Sequence, residues 1–379
     1  MVSESNSNLP QELLEDILSR LPYKSLSRFK CVCKFWYTLF TDPIFRALHL
    51  SHFIKHHAFN DSVFLRLSFP TTSYGFYMQN YKLFSLSNND SSIDDTFLPR
   101  VKLLSTKFRI SGHCNGILCL SGGYWSHSNE VILYNPATRE FKCLPDSNML
   151  SKSSFALAVG LGYNSITDDY KVVRIWSVDT GVYTTNRMEV YSLSTDSWTR
   201  MYNSNTRDFD FADDCFALFF KGTYYWWGFR RGDKSTIILA LRTGDEIFHK
   251  VSAPDNVDIS KPEGRSLAEW KESLSLICCS GFGLNMSIDI WVMKGSGAQD
   301  SWTKMQSVTS LLLEEPKPLV FWKGDELLLE TCGGEIKSYN VVTQKIKNLK
   351  IEDRPVLHSV QAVNYAATLA SINGGTCLT

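Results

Sequence analysis

Five stretches of this chain repeat one pattern, and a repeat of that length leaves few folds open. Each copy holds a strand-like run, a tight polar turn, a strongly apolar run, and then a pair of runs ending on an aromatic or aliphatic residue. The copies are FRISGHCNGILCLSG with EVILYNPATREFKCLP, VGLGYNSITDDYKVVRIWS with MEVYSLSTDSWTRM, CFALFFKGTYYWWGF with TIILALRTGDEIFHKV, RSLAEWKESLSLICCSG with IDIWVMKGSGAQDSWTKM, and PLVFWKGDELLLETCGG with IKSYNVVTQKIKNL. Their closing residues Phe141, Trp198, Phe248, Trp302 and Ile346 stand 57, 50, 54 and 44 positions apart. A single copy cannot bury its own apolar faces, so neighbours must stack, and a period near fifty with four strands per copy is that of a β-propeller blade. Residues 135–138, 194–197 and 343–344 supply Asn, Pro, Asp, Ser, Thr and Gln to the turn between the last two strands, where such residues preset the backbone or bond to it. Trp198 and Trp302 read as packing between blades.

Two fragments lie outside the five copies. Residues 63–69 and 74–86 alternate aromatic and β-branched positions, and 360–372 (VQAVNYAATLASI) alternates like a strand. The polar run 85–96 reads as a loop between them and the first copy. Joined, the two fragments make one more blade, closed by the last strand, which removes the exposed edge. The expected fold is mainly β: a six-bladed β-propeller, or a seven-bladed one if 63–86 and 97–110 hold a full blade by themselves.

Ahead of the repeats, residues 9–50 change period. Leu13, Leu14, Ile17, Leu18 and Leu21 recur at one-, three- and four-residue steps, a stripe down one helix face. Pro10 suits the first turn of that helix and Pro22 ends it. A second helix is expected from near Ser25 with Leu26, Phe29 and Val32. A third carries Phe35, Trp36, Leu39 and Phe40 and stops at Asp42-Pro43. A unit this small buries too little to be stable alone, and its Leu, Ile, Phe and Trp need a partner groove. The expected layout is a disordered N-terminus (1–8), a three-helix head (9–51), a linker (52–59) holding His56-His57, the β domain (60–373) and a C-terminal tail (374–379).

The totals exclude several classes. Lys+Arg and Asp+Glu are both 39 in 379 residues, so the chain lacks the basic excess that bulk nucleic-acid or anionic-membrane binding needs. Aromatics at 13% and charged residues at 21% fit an ordered, well-buried chain. The ten cysteines include no CxxC pair and no zinc spacing, and read as small apolar residues of a reducing compartment. The polar start MVSESNSNLP has no signal-peptide core, and no apolar run reaches membrane-spanning length.

The head resembles an F-box, through Leu9-Pro10, ILSRLP at 17–22, KSLSRFKCVCKFW at 24–36 and DPIF at 42–45. That resemblance implies docking on the Skp-type adaptor of a cullin–RING ubiquitin ligase. Carried over by position, the adaptor-binding residues are Leu9, Pro10, Leu13, Ile17, Leu18, Leu21, Pro22, Leu26, Phe29, Val32 and Trp36, some of which must face the head's own core instead. The β domain, over about residues 60–372, is similar to the F-box-associated domain of plant F-box proteins. Its phrases GDEIFHKV and VNYAATLASI are most similar to those of the S-locus F-box proteins and their relatives. This implies a non-catalytic receptor in cytoplasm, or also nucleus, whose targets in pollen self-incompatibility are S-RNases, basic secreted ribonucleases.

A search for chemistry finds no GxSxG, HExxH, Walker loop or GxGxxG, and no cofactor or metal is expected. Acidic runs at Asp94-Asp95, Asp168-Asp169 and Asp208/Asp210/Asp213/Asp214 read as solvated loops that could steer a basic partner. The long variable segments 124–130, 178–187, 203–214, 229–235 and 281–285 are the candidate target surface. Tyr124, Trp125, Tyr183, Phe209, Asp210, Phe211, Asp213, Asp214, Phe229, Arg230 and Arg231 are its candidate contacts, aromatic and Arg residues being the usual anchors. Two other readings stay open: a plant F-box receptor for an unrelated cytosolic protein, and a propeller lectin or hydrolase.

Overall fold

A computed structural model of the chain describes residues 10–56, 62–73, 76–87, 93–95, 108–122, 130–147, 154–179, 184–202, 205–211, 216–245, 247–255, 257, 259, 264–282, 285–295, 301–311, 313, 315–349, 359–372 and 376–377. The head holds four helices, not three: α1 (Gln11–Ser19), α2 (Tyr23–Phe29), α3 (Lys34–Thr41) and α4 (Pro43–His56). Pro10 and Pro22 stand directly before α1 and α2, so α2 begins two residues ahead of Ser25. The Asp42-Pro43 pair ends α3 but also starts α4. Asp42 Oδ1 accepts the backbone N–H groups of Ile44 at 2.8 Å and Phe45 at 3.1 Å, an N-cap, and Pro43 occupies the first turn where its missing N–H costs nothing. Helix therefore runs on to His56, through much of the stretch expected as a linker. The head's core is Leu18, Leu26, Leu39, Phe40 and Phe45, with Leu14, Leu21, Tyr23, Phe29 and Trp36 around it.

The rest of the described chain is antiparallel sheet. Sheet 1 joins Ser62–Ser73, Phe76–Ser87 and Ile93–Asp95 to the late strand Ser359–Tyr365. Sheet 2 holds Phe108–Cys114, Ile117–Gly122, Val131–Asn135 and Glu140–Cys143, with Thr376–Cys377 added at its edge. Sheet 3 holds Ser154–Asn164, Asp169–Asp179, Thr184–Ser192 and Ser197–Met201. In sheet 4, Phe209–Phe211 and Leu218–Phe220 pair with opposite ends of Thr223–Arg230, followed by Thr236–Arg242 and His249–Val251. Sheet 5 holds Arg265–Trp270, Ser273–Phe282, Asn285–Lys294 and Ser301–Leu311; sheet 6 holds Lys317–Trp322, Glu326–Glu330, Ile336–Asn340 and Lys345–Asn348.

Sheets 2 to 6 are the five repeats. The two leftover fragments do combine in sheet 1: Val63 lies opposite Asn364 and Leu67 opposite Val360. Two expectations change there. Ile93–Asp95 is a strand of sheet 1 within the run read as loop, and the strand read over 360–372 stops at Tyr365, leaving 366–372 irregular. Of the 97–110 stretch invoked for a seventh blade, 108–110 belongs to sheet 2, and 96–107 lies outside the described residues.

Apolar clusters join each sheet to the next. Leu118 and Ile132 of sheet 2 meet Phe64 and Val363 of sheet 1. Cys119 and Leu133 of sheet 2 meet Leu161 and Tyr191 of sheet 3. Ile175 and Met188 of sheet 3 meet Trp226 and Leu239 of sheet 4, and Ile238 of sheet 4 meets Leu276 of sheet 5. Ile288 of sheet 5 meets Leu327 of sheet 6, and Leu328 of sheet 6 returns to Leu65 of sheet 1. At the innermost strands Gln361 of sheet 1 accepts the N–H of Ile110 at 3.0 Å and donates to its carbonyl at 3.2 Å, copying a strand partner across the seam to sheet 2.

Candidate functional site

Two surfaces hold the sequence-derived candidates. On the head, α1 turns Leu18 inward to 5% exposure and leaves Leu13 and Ile17 half exposed, at 52% and 50%, one helical turn apart on a shared stripe. Leu26 is fully buried and belongs to the core; Leu21, Phe29 and Trp36 are half-buried against it. Pro10, Pro22 and Val32 are exposed, and Leu9 lies outside the described residues. The contacts carried over by position left out Phe35, Tyr37 and Ile44, all exposed. Successive helix positions point about 100° apart, so with Trp36 against the core its neighbours Phe35 and Tyr37 turn outward. The head thus keeps a closed core and a separate set of bare apolar side chains, at a density that soluble surfaces reserve for partners.

The ring's two ends differ. Turns between the first and second strands of neighbouring sheets touch one another: Lys221 Nζ donates to Glu272 O at 2.8 Å, Trp270 Nε1 to Gly324 O at 3.1 Å, and Lys271 pairs with Asp325 at 3.0 Å. The head sits at this same end, on sheet 2. Tyr23 lies within electrostatic reach of Arg139, and Arg46 of Glu140, at the turn between the last two strands of that sheet. Because strands alternate in direction, the second strands of sheets 2 to 5 end and their third strands begin at the opposite end, where the described parts of the candidate segments, Arg230 and Phe209–Phe211 among them, are found; 124–129, 180–183, 203–204, 212–214 and 283–284 lie outside the described residues.

The structure sorts the candidate contacts there. Phe209 and Phe211 are corrected: they are 1% and 5% exposed and pack edge-on against Phe248, inside the sheet 3–sheet 4 core. Asp210 and Arg231 engage each other, with Arg231 Nη2 at 2.8 Å from Asp210 Oδ1 and 3.0 Å from Asn186 Oδ1, a tie between sheets 4 and 3. Arg230 remains exposed, 3.5 Å from Asp233, and Phe229 is half-buried. Tyr124, Trp125, Tyr183, Asp213 and Asp214 lie outside the described residues. The acidic pair Asp168-Asp169 divides: Asp168 stays exposed in a turn, as expected of a loop acid, and Asp169 is committed inside the chain. Asp169 is buried, ion-paired with Lys171 at 2.6 Å and accepting from Ser192 and Ser194, and Asp168 accepts from Tyr163.

Trp198 and Trp302 do serve the packing. Each reaches back to the loop after the preceding sheet, Trp198 Nε1 donating to Pro145 O at 2.8 Å and Trp302 Nε1 to Ser252 O at 2.7 Å. The Arg174 guanidinium stacks 3.9 Å from the Trp198 ring and pairs with the buried Glu189 at 2.6 Å, which also accepts from Trp176 Nε1 and Ser147. Burial pushes the Cys119 and Cys279 thiols up to about 12 and holds His113 down to about 4, so these groups stay neutral. Among the described residues no three His, Cys, Asp or Glu gather to hold a metal, and no helix is long and apolar enough to cross a membrane.

The chain matches the F-box domain family over residues 6–48 and the F-box associated beta propeller domain family over 69–372. An F-box/kelch-repeat protein of Arabidopsis thaliana is 28% identical over 87% of this chain and 87% of its own length. The F-box protein CPR1 of the same plant is 27% identical over 94% of this chain and 88% of its own. Among solved structures, the Dos1 propeller aligns at 7% identity over 73% of this chain and 68% of that one with a TM-score of 0.37, too low to assign anything beyond the family match. A closed helical head with a bare apolar side, seated on a ring of repeated sheets and matched in sequence along both parts, places this chain in the family of F-box proteins that carry an F-box associated beta propeller domain.

Proposed function

We propose that this chain is the substrate-recognition subunit of an SCF (Skp–cullin–F-box) ubiquitin ligase, with no covalent chemistry of its own. The observation that carries the proposal is the division within the head: Leu18 and Leu26 complete a core, while Leu13, Ile17, Val32, Phe35 and Ile44 stay bare for a Skp-type adaptor. The ring holds a protein target and raises its effective concentration near the ubiquitin-charged enzyme that the cullin–RING core recruits. Six sheets joined by six apolar clusters in cyclic order support a six-bladed ring. The target binds at the end opposite the head, where second strands pass into third strands and Arg230 is exposed. A basic secreted ribonuclease as that target rests on the sequence phrases alone, since Asp169 and Asp210, two of the acids invoked to steer it, are ion-paired within the chain.

The test replaces Leu13 and Ile17 together with Asp in the full chain. Co-purification of the adaptor is expected to disappear while the melting temperature holds, because both side chains are already solvated in the isolated chain but would place charge in an apolar interface. Undiminished capture removes the docking claim. Proximity labelling with the proteasome blocked then identifies the target.

A further inference from the structure

The irregular segment 366–372 crosses from sheet 1 to sheet 2 and on toward the head, and its side chains enter three separate cores. Ala367 packs into the cluster between sheets 1 and 2, Ala370 and Ile372 into the one between sheets 2 and 3, and Leu369, 1% exposed, into the head beside Leu18, Leu26 and Phe40. The backbone between them is pinned to sheet 2. Asn135 Nδ2 donates to Thr368 O at 3.3 Å and Ala370 O at 2.7 Å, Thr368 Oγ1 donates to Asn115 O at 2.7 Å, and Ile372 N donates to Glu140 Oε2 at 3.1 Å. Tyr365 Oη, at the start of the segment, accepts the Ala137 N–H at 3.0 Å, and past its end Thr376–Cys377 pairs with Phe141 and Glu140. Gly116 is shaped to the same segment: its φ is +80°, and a Cβ there would fall 2.4 Å from Ala366 O.

We propose that this segment is a rigid coupling that fixes the orientation of the head on the ring, with Leu369 as its positioning residue. The inference rests on the receptor reading above. A receptor acts by geometry alone, so the angle between adaptor face and target face decides which lysines come within reach of ubiquitin transfer. A chain joined only through the end of α4 would leave that angle free. Seven residues anchored to two sheet seams and the head core hold it.

The experiment uses the full chain bound to its adaptor, with spin labels carried by unnatural amino acids at the exposed positions Ala47 on α4 and Lys345 on sheet 6. The native chain should give one narrow distance distribution. Leu369→Ser should broaden it severalfold while adaptor affinity and ring melting hold, and Leu369→Met should restore the narrow peak. In the reconstituted ligase without target, self-modification should spread from a restricted set of ring lysines in the native chain to many in Leu369→Ser. Should the Ser variant unfold, Leu369→Ala is read in its place. Equal widths in native and variant chains overturn the coupling even where the adaptor still binds; loss of adaptor binding in the native chain overturns the receptor reading instead.

Discussion

Leu13 and Leu26 are the same residue type in one small head, yet they answer to different forces. Leu26→Ala removes a fully buried side chain and should cost about 2–5 kcal/mol in urea unfolding. Leu13→Ala should change stability by no more than about 0.5 kcal/mol, its effect appearing in adaptor affinity. A second prediction concerns His113, stacked on Phe216 at 6.0 Å and kept neutral by burial down to about pH 4. Below its ordinary value of 6.5 the unfolded chain takes up a proton that the folded chain refuses until about pH 4. Stability should therefore fall as pH drops through that window, and His113→Phe should remove this part of the slope in a pH series of unfolding curves. The apolar type of the head residues was legible in sequence, but their direction was not. Both faces of α1 carry Leu and Ile, and the packing of α2, α3 and α4 against it, around Leu26, Phe40 and Phe45, decides which face is core. Phe209 and Phe211 misled for a related reason: flanked by acids, they read as loop, but a three-residue strand against Thr223–Arg230 turns both rings inward.

At the scale of elements, the repeats were readable because each sheet depends on local pairing and on turns with strong residue demands. Asn115-Gly116 at φ 51° and 80° is the tight hairpin turn that its Asn-Gly pair signals. Gly116→Ala should cost at least about 1 kcal/mol for the left-handed backbone, and more for displacing Ala366, measured by thermal unfolding with Gly222→Ala as the control at a similar φ where the nearest neighbour stands at 3.7 Å. Helix α4 was missed because Asp-Pro is both a stop and a start, and the choice depends on whether Asp42 faces the next N–H groups. The segment 366–372 alternates as a strand does, yet its partners are side chains and turns of sheet 2, which no periodicity displays. Within sheet 3, Arg174→Met would leave the Glu189 carboxylate buried without its counter-charge, an expected loss of about 3–5 kcal/mol that replacing Glu189 with Met as well should largely recover.

The whole molecule depends on the strand Ser359–Tyr365. Removing residues 359–379 takes the inner partner from Ser62–Ser73, the Gln361 bridge to Ile110, and Leu369 from the head. Calorimetry should show the single melt replaced by a lower, broader one; an unchanged melt would rule out closure by this strand. The order of the parts along the chain has its own consequence for a protein made from its N-terminus. The head precedes the ring and Leu369 follows it, so until the ring has been made one side of the head's core has no lid, and the first sheet lacks its inner neighbour. A nascent chain carries both open flanks at once, and an adaptor that meets it on the ribosome shields the outward residues of the head but not the flank awaiting Leu369.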